Sequence, residues 1–251
     1  MESRSEVVTE PTTQTAHKLS RSAVGALALP MDVLSALRTA CLVPVVVLDE
    51  AAQADDLASA LVAGGLPIAE VAFRTVAALD SIRVMSARGD VIVGAGTVLT
   101  VAQVDQAVAA GARFVVSPGL SRDVVERCQE NGVLVLPGAV TATEVQAALE
   151  LGLTTVKFFP AHTSGGPAAI GALGAPFAGV SFVPTGGIGP KNLAEYLSLP
   201  MVAAVGGSWM VSRDLVKAGD FAGIQRLTAD AVAVAVAVAK TVLASRAQPT
   251  S

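Results

Sequence analysis

The chain has 251 residues, of which 52% are hydrophobic and only 15% are charged, and this balance excludes a protein that is disordered as a whole. The net charge of −4 leaves no basic excess for a phosphate backbone, so we expect no nucleic-acid partner. The longest charge-free run, between Lys157 and Lys191, contains five prolines and eight glycines, which excludes a transmembrane helix there.

The first 22 residues are polar, carry acidic side chains and lack the apolar core of a signal peptide. We therefore predict a disordered leader over residues 1–30 and a cytoplasmic location, with no membrane partner. The two cysteines, Cys41 and Cys128, fit a reducing compartment.

From Met31 onward, where a first helix is expected to begin, short apolar runs alternate with amphipathic, alanine-rich segments. The apolar runs predict eight strands, at Leu42–Leu48, Ile68–Arg74, Val91–Gly94, Phe114–Ser117, Val133–Leu136, Thr154–Phe159, Val180–Pro184 and Val202–Val205. The segments between them predict helices that include Ala54–Ala63, Val76–Arg88, Val101–Ala110, Arg122–Asn131, Ala142–Leu151 and Pro190–Leu197.

Eight strand–helix units predict a (β/α)8 TIM barrel, an α/β fold, as a single domain over residues 31–246 with a short tail over 247–251. An open doubly wound sheet shares this local pattern, but the strand count and the absence of a GxGxxG motif after the first strand favour the barrel. Within residues 220–246, the alternation AVAVAVAVAK is compatible with a strand. The alanine content and the flanking segments favour a final helix, whose valine stripe could form a subunit contact.

One of the five lysines, Lys157, lies inside a predicted buried strand, where lysine is unexpected. Strand periodicity places Thr155, Lys157 and Phe159 on one face. Burial beside apolar groups removes water from an ammonium group and favours the neutral amine, which attacks ketones to form a Schiff base. A lysine that pairs with a buried acid, or that reaches water from a strand end, would occupy the same position without a catalytic role.

The second predicted strand carries an acid and an arginine on one face, because Glu70, Ala72 and Arg74 alternate with apolar residues. Arg74 could bind a substrate carboxylate through its planar guanidinium group, while Glu70 transfers protons. The alternative is a structural ion pair between Glu70 and Arg74 inside the barrel. Together with Lys157, these residue types are those of an aldolase that forms an imine with a 2-oxo acid.

Paired glycines follow the last two predicted strands. PTGGIGP contains Gly186 and Gly187, and VGGSWM contains Gly206, Gly207 and Ser208. Consecutive glycines let backbone N–H groups approach an anion, and the loops after strands seven and eight are the usual phosphate site of this barrel. We therefore predict that these five residues bind a phosphate group.

Seven segments between Leu34 and Asp220 together resemble the family of 2-keto-3-deoxy-6-phosphogluconate (KDPG) aldolases, class I aldolases of the Entner–Doudoroff pathway. The segments are ALVAGGLPIAEVAFRT, VGAGTVLT, GARFVVSPGL, VLPGAVTATEV, TTVKFFPA, PTGGIGPKNLAEYL and VGGSWMV. The resemblance implies a (β/α)8 barrel, usually a homotrimer, without a metal or another cofactor. It also implies cleavage of the phosphorylated keto acid to pyruvate and glyceraldehyde 3-phosphate.

The resemblance assigns roles to individual residues. Lys157 matches the family's Schiff-base lysine, Glu70 its acid/base glutamate, and Arg74 the arginine that binds the substrate carboxylate. Thr97 matches a threonine near that carboxylate. The residues that match the family's phosphate site are the ones already singled out, Gly186, Gly187, Gly206, Gly207 and Ser208.

Two further residues match the walls of the family's site, and two depart from its pattern. Pro118 matches a proline that lines the pocket, and Phe159 resembles the apolar wall over the imine. Ala72 stands where many members have a threonine, and His162 stands where an acid often follows FFPA, so both are expected to change the shape of the pocket. His17 and His162 lack neighbouring Cys or acid ligands, which also predicts no metal.

Three alternatives remain open from the sequence. A sister aldolase would act on 4-hydroxy-2-oxoglutarate or on the galactonate epimer of KDPG. A phosphate-binding barrel isomerase or epimerase would share the glycine loops but would not need Lys157. A degenerate barrel that serves as a scaffold would lack the set of Lys157, Glu70 and Arg74, which is present here.

Overall fold

The computed structural model describes the backbone of residues 32–247 and the side chains of residues 32–242. The predicted leader, residues 1–30, and the tail beyond residue 247 lie outside the described range.

Within residues 32–247, eight strands alternate with helices in the predicted order. The strands are β1 Leu42–Val46, β2 Ile68–Ala72, β3 Ile92–Gly96, β4 Phe114–Val116, β5 Leu134–Leu136, β6 Thr155–Phe158, β7 Ser181–Pro184 and β8 Val205–Gly207. The α-helices are α1 Val33–Ala40, α2 Ala54–Ala63, α3 Ala78–Arg88, α4 Val101–Ala109, α5 Arg122–Glu130, α6 Ala142–Glu150, α7 Gly166–Gly174, α8 Leu193–Leu197, α9 Arg213–Lys217 and α10 Phe221–Ala247. Short 3₁₀ helices lie at Ala51–Gln53 and Trp209–Val211.

Main-chain pairing curls the strands into a barrel. Six strands form a continuous parallel sheet in the order β5–β4–β3–β2–β1–β8, and β6 pairs in parallel with β7. Single bridges complete the ring, because Gly138 pairs with Lys157 beside β5 and β6, and Thr185 pairs with Gly206 beside β7 and β8. The predicted (β/α)8 barrel is therefore confirmed, and the open doubly wound sheet is excluded.

Strand periodicity directs Lys157 into the interior of the barrel. All four residues of β6 are buried, and alternate side chains point to opposite faces of the strand. The ring of Phe158 packs edge-on against Phe182 of β7, with ring centroids 6.3 Å apart, on the side covered by helices. The side chain of Lys157 therefore lies on the opposite, interior side, where it meets Glu70 from β2.

Helix α7 is not among the helices predicted from the sequence. This helix contains glycines and a proline, which have the lowest intrinsic helix propensities. Proline is nevertheless tolerated in its first turn, and both Ile170 and Gly174 are buried. Packing against the barrel therefore stabilises a helix that local propensity does not favour.

The last strand differs in position from its predicted range. β8 begins at Val205, where pairing with β1 starts, rather than at Val202. Val202 makes only an isolated bridge to Phe182 of β7. The strand therefore includes two glycines that the apolar pattern had placed after it.

The final helix, α10, agrees with the helix expected over residues 220–246. By length and composition alone, its Phe221–Val242 portion would suffice to cross a membrane. One side of the helix packs against the barrel through contacts with α2 and α8. The buried side chains on that side are Ile224, Thr228, Ala231 and Ala235. Such one-sided burial is typical of a helix that covers a barrel strand.

Candidate active site

A cavity of about 380 Å³ opens where the strands end at their carboxyl side. This is the end at which barrels of this type carry their active sites, because the loops that follow all eight strands converge there. The residues that line the cavity come from β1 and β8 and from the loops after β1, β2, β6, β7 and β8. They are Val45, Val47, Arg74, Phe159, Thr185, Gly186, Gly187, Ile188, Gly207, Ser208, Val211, Ser212 and Arg213.

A buried ion pair lies beside this cavity. The Nζ atom of Lys157 is 3.3 Å from Oε1 of Glu70, and the two side chains are only 8% and 4% exposed. The same Nζ atom lies 5.1 Å from the centroid of the Phe159 ring, which lines the cavity. Because Lys157 donates to Glu70, this carboxylate is the nearest base for a proton that leaves the amine.

The geometry separates the alternatives that the sequence leaves open for these residues. Lys157 does pair with a buried acid, and the acid is Glu70. The structural ion pair between Glu70 and Arg74 is not formed in the described part of the chain. Arg74 lies beyond the end of β2, exposed at the cavity, and its guanidinium group has no hydrogen-bond partner among the described residues. An arginine in this state is free to bind an anion.

Gly96, the last residue of β3, makes room for Glu70. A Cβ atom at this position would lie 2.8 Å from Cγ of Glu70 and would overlap its Oε1 atom. Thr97 follows directly and has a φ of 59°, in the left-handed region that residues with a side chain rarely adopt. Strained backbone of this kind persists where the surrounding structure holds it, which is common at functional sites.

The backbone of Gly138 lies between Pro118 and Lys157 and contacts both residues. Gly138 pairs with Lys157, and a Cβ atom on Gly138 would overlap the carbonyl group of Pro118. Pro118 itself is half-buried and does not line the cavity. The loops that carry Thr97, Pro118 and Lys157 are therefore adjacent at one end of the barrel.

The paired glycines divide into two groups. Gly186 and Gly187 have φ values of 101° and 73°, which favour glycine, and both line the cavity. Gly207 and Ser208 also line it. Gly206 does not, because it pairs with β1 and lies against the side chain of Thr185, within the wall of the barrel.

Two charged residues of this region are absent from the sequence-based site. Arg213 lines the cavity, and it forms an ion pair with Asp49, which follows β1. The two residues are 164 positions apart, and neither interrupts an apolar pattern. Their position at the end of a strand and at the start of a helix is where charged residues are common, so no local signal distinguishes them.

His162, one of the departures from the family pattern, lies beside the glycine loop. Its backbone N–H donates to the carbonyl oxygen of Gly186 at 3.0 Å. A Cβ atom on Gly187 would lie 2.5 Å from Cβ of His162. Ala72, the other departure, is buried in β2. Histidine at position 162 therefore adjoins the glycine loop, and alanine at position 72 contributes to the barrel core.

Comparison with known proteins agrees with this geometry. A family model described as KDPG and KHG aldolase matches residues 33–227. A 2-dehydro-3-deoxy-phosphogluconate aldolase of Treponema pallidum (strain Nichols) is 48% identical over 199 residues, which cover 79% of this chain and 95% of that protein.

Two solved structures share both the fold and much of the sequence. The KDPG aldolase from Legionella pneumophila, with pyruvate captured at low pH as a covalent carbinolamine intermediate, is 38% identical with a TM-score of 0.76. That match covers 78% of this chain and 96% of the other. The 2-keto-3-deoxy-6-phosphogluconate aldolase of Zymomonas mobilis ZM4 with 3-phosphoglycerate is 42% identical with a TM-score of 0.76, covering 81% and 96%. The chain therefore belongs to the KDPG and KHG aldolase family.

Proposed function

We propose that this protein is a class I aldolase that cleaves 2-dehydro-3-deoxy-6-phosphogluconate to pyruvate and D-glyceraldehyde 3-phosphate. The observation that carries the proposal is the buried contact between Lys157 and Glu70 beside a cavity lined by an arginine and a glycine loop. The relative with a covalent pyruvate carbinolamine supports the same chemistry.

Lys157 is the nucleophile. Its neutral amine attacks the C2 ketone of the substrate to form a carbinolamine, and loss of water then gives a protonated imine. The ammonium group first releases a proton to Glu70, 3.3 Å away, and Glu70 gives this proton to the carbinolamine hydroxyl group as it leaves as water, which restores the carboxylate. The imine withdraws electrons from the C3–C4 bond, which prepares that bond for cleavage.

Glu70 is the acid and base of the later steps. It removes the proton of the C4 hydroxyl group, directly or through a water, as the C3–C4 bond breaks. The bonding electrons form the C2–C3 double bond of an enamine, and glyceraldehyde 3-phosphate leaves. Protonated Glu70 returns the proton to C3, which gives the protonated imine of pyruvate, and addition of water then releases pyruvate and restores the ion pair between Lys157 and Glu70.

The remaining residues hold the two ends of the substrate. Arg74 and Thr97 bind the carboxylate group, and Phe159 forms an apolar wall near the imine, while Pro118 packs against Gly138 behind that wall. The distal phosphate group binds at the backbone N–H groups of Gly186, Gly187 and Gly207, with the hydroxyl group of Ser208, while Gly206 fixes the strand beneath them. Binding at both ends fixes the reacting bond next to Glu70, a positioning effect of several kcal/mol.

Pyruvate release from synthetic substrate, measured with a lactate dehydrogenase couple, tests the proposed function. The parent protein should cleave the phosphorylated gluconate-derived acid, and Lys157→Met should lower kcat by at least about 10⁴-fold, since it removes the nucleophile. Lys191→Met, at an exposed lysine, is the matched control and should leave the rate unchanged. An active Lys157→Met variant would point instead to the isomerase or epimerase class.

The family description also includes KHG aldolases, so 4-hydroxy-2-oxoglutarate is a second candidate substrate. Imine formation requires only the pyruvyl half, which both substrates share, and the galactonate epimer shares it as well. The cavity residues Gly186, Gly187 and Ser208 favour a substrate with phosphate. Values of kcat/KM for the three substrates, measured side by side, rank these candidates.

We also propose that the protein is a soluble, cytoplasmic enzyme that works as a homotrimer. Three apolar side chains near the carboxyl end of the barrel are unusually exposed: Val76 is 99% exposed, Leu99 57% and Val101 38%. A neighbouring subunit would remove such side chains from water. Analytical ultracentrifugation should give a trimer, and Val76→Glu should shift the equilibrium towards monomers.

A further inference from the structure

A second arginine in the cavity has no role in the proposed chemistry so far. Arg213 begins α9 and lines the cavity together with Gly186, Gly187 and Ser208. The segment that carries it also carries Ser208, five positions earlier in the chain. Its side chain is 53% exposed, so its guanidinium group is accessible to a solute that enters the cavity.

Asp49 fixes the orientation of this arginine. The Nε atom of Arg213 donates to Oδ2 of Asp49 at 2.8 Å, and its Nη2 atom donates to Oδ1 of the same carboxylate. A guanidinium group has further N–H donors that such a two-point contact leaves unused. The Nη1 group and one hydrogen of Nη2 accordingly have no acceptor among the described residues. The contact therefore holds Arg213 in one orientation with part of its binding capacity free.

Of the charged groups that surround Asp49, Arg213 is the one that faces the cavity. Lys217 also contacts Asp49, with its Nζ atom 3.5 Å from Oδ2. Two cations thus share the Asp49 carboxylate, and the carboxylate of Asp214, next to Arg213 in the chain, balances the second positive charge. Lys217 does not line the cavity, whereas Arg213 does. In a protein with a net charge of −4, an anionic group needs such a local cation.

We propose that Arg213, held by Asp49, binds the distal phosphate group of the substrate and makes the enzyme prefer phosphorylated keto acids over unphosphorylated ones. The inference rests on the proposed function, because it assigns a ligand to one end of the same cavity. Arg213 is then the charged partner of the glycine loop, whose N–H groups are neutral donors. Asp49 is a positioning residue that acts only through Arg213.

Substrate preference in Arg213→Gln tests this inference. The preference is the kcat/KM for the phosphorylated substrate divided by that for 2-dehydro-3-deoxygluconate, which lacks phosphate. Loss of one charge-assisted contact should lower this ratio by about 10–100-fold, mainly through KM. Arg213→Lys should recover part of it, because it restores the charge without the planar group. Inhibition by inorganic phosphate should weaken in parallel.

The matched control is Arg83→Gln, which removes an equally exposed, ion-paired arginine from α3. It should leave both the ratio and phosphate inhibition as in the parent. If Arg213→Gln lowers kcat/KM for both substrates equally, or changes neither, the inference is wrong. Thermal unfolding of each variant shows whether a lower kcat/KM results from a destabilised fold.

A double-variant cycle tests the role of Asp49. Asp49→Asn should raise KM for the phosphorylated substrate by less than Arg213→Gln does, with kcat unchanged. The double variant, Asp49→Asn with Arg213→Gln, should have the same KM for the phosphorylated substrate as Arg213→Gln alone, because Asp49 acts through that side chain. Additive losses would contradict a positioning role. If the parent protein itself fails to cleave the phosphorylated substrate, the proposed function fails, and that result is distinct from all of these.

Discussion

Glycine serves different purposes at the two ends of this barrel. At the amino ends of the strands, glycines terminate helices, and Gly132 after α5 is an example. Its φ is 65°, and a Cβ atom there would meet nothing within 4 Å. At the carboxyl end of β3, Gly96 has an ordinary φ, but a Cβ atom would overlap Glu70. The first glycine is needed for its conformation, and the second for the space that it leaves.

Because the two glycines serve different purposes, substitution of one should affect stability and substitution of the other should affect activity. A side chain at a helix end such as Gly132 strains only the backbone, so its cost is in the free energy of unfolding. A side chain at Gly96 displaces a carboxylate that contacts the proposed nucleophile, so its cost is expected in the reaction rate. Substitution of glycine by alanine at each end should therefore produce two distinct effects.

After loss of the nucleophile itself, the largest effect is expected for Gly96→Ala. The added methyl group should move the carboxylate of Glu70 away from Lys157, and a displacement of about 1 Å can lower a rate about 10²-fold. Steady-state pyruvate release measures this change in kcat. Gly171→Ala, in the middle of α7 with open space around its Cβ position, is the control and should keep parental kcat. Parental activity in Gly96→Ala would contradict the proposed role of this contact.

The next effect concerns the arginine at the mouth of the cavity. Arg74→Gln should lower kcat/KM by about 10–100-fold, because it removes a charge-assisted contact to the substrate carboxylate. Pyruvate should also inhibit the variant less strongly, since pyruvate carries the same carboxylate. The folded structure should be unaffected, because the guanidinium group has no partner in the described chain. A large fall in thermal stability would show that Arg74 is structural instead.

A smaller effect is expected at the amino ends of the strands. Gly132→Ala should reduce the free energy of unfolding by about 1 kcal/mol, because alanine is unfavourable at this positive φ. Gly171→Ala should instead raise it by about 0.5–1 kcal/mol, since alanine is the better residue inside a helix. Urea denaturation of the two variants measures the sign and size of each change in the free energy of unfolding. Equal changes in the two variants would contradict this assignment.

The smallest effect concerns the buried thiol of α5. Burial raises the pKa of Cys128 to about 12 from an ordinary value of about 9. The folded state therefore keeps the thiol proton where the unfolded state loses it. The stability that this group contributes is present below pH 9 and declines as the pH rises from 9 to 12. In a Cys41→Ser background, the native protein should resist thiol reagents at pH 8 and react only after denaturation.

The fold and the centre of the site were predictable from the sequence for a simple reason. Each strand–helix unit is local, so its pattern lies in a short stretch of chain. Lys157 stood out because a charged residue interrupts an apolar strand, and strand periodicity placed Glu70 on a face that a barrel turns inward. Each observation concerns a single segment of the chain, and the closed barrel brings the two residues together.

Features that depend on contacts between distant segments were not predictable in this way. Helix α7 forms through packing of Ile170 and Gly174 against the barrel, although its glycines disfavour a helix. The contact between Arg213 and Asp49 joins the start of α9 to the loop after β1, and neither segment indicates a partner. The wall position of Gly206 depends on its neighbour Thr185, which follows β7.

Reduction with borohydride in the presence of pyruvate tests the central claim most directly, because it converts a lysine imine into a stable secondary amine. Peptide mapping by mass spectrometry should locate the adduct on Lys157, with none on the exposed Lys191. Protein without pyruvate should carry no adduct. An adduct confined to another lysine, or no adduct at all in a catalytically active preparation, would contradict the assignment of Lys157 as the nucleophile.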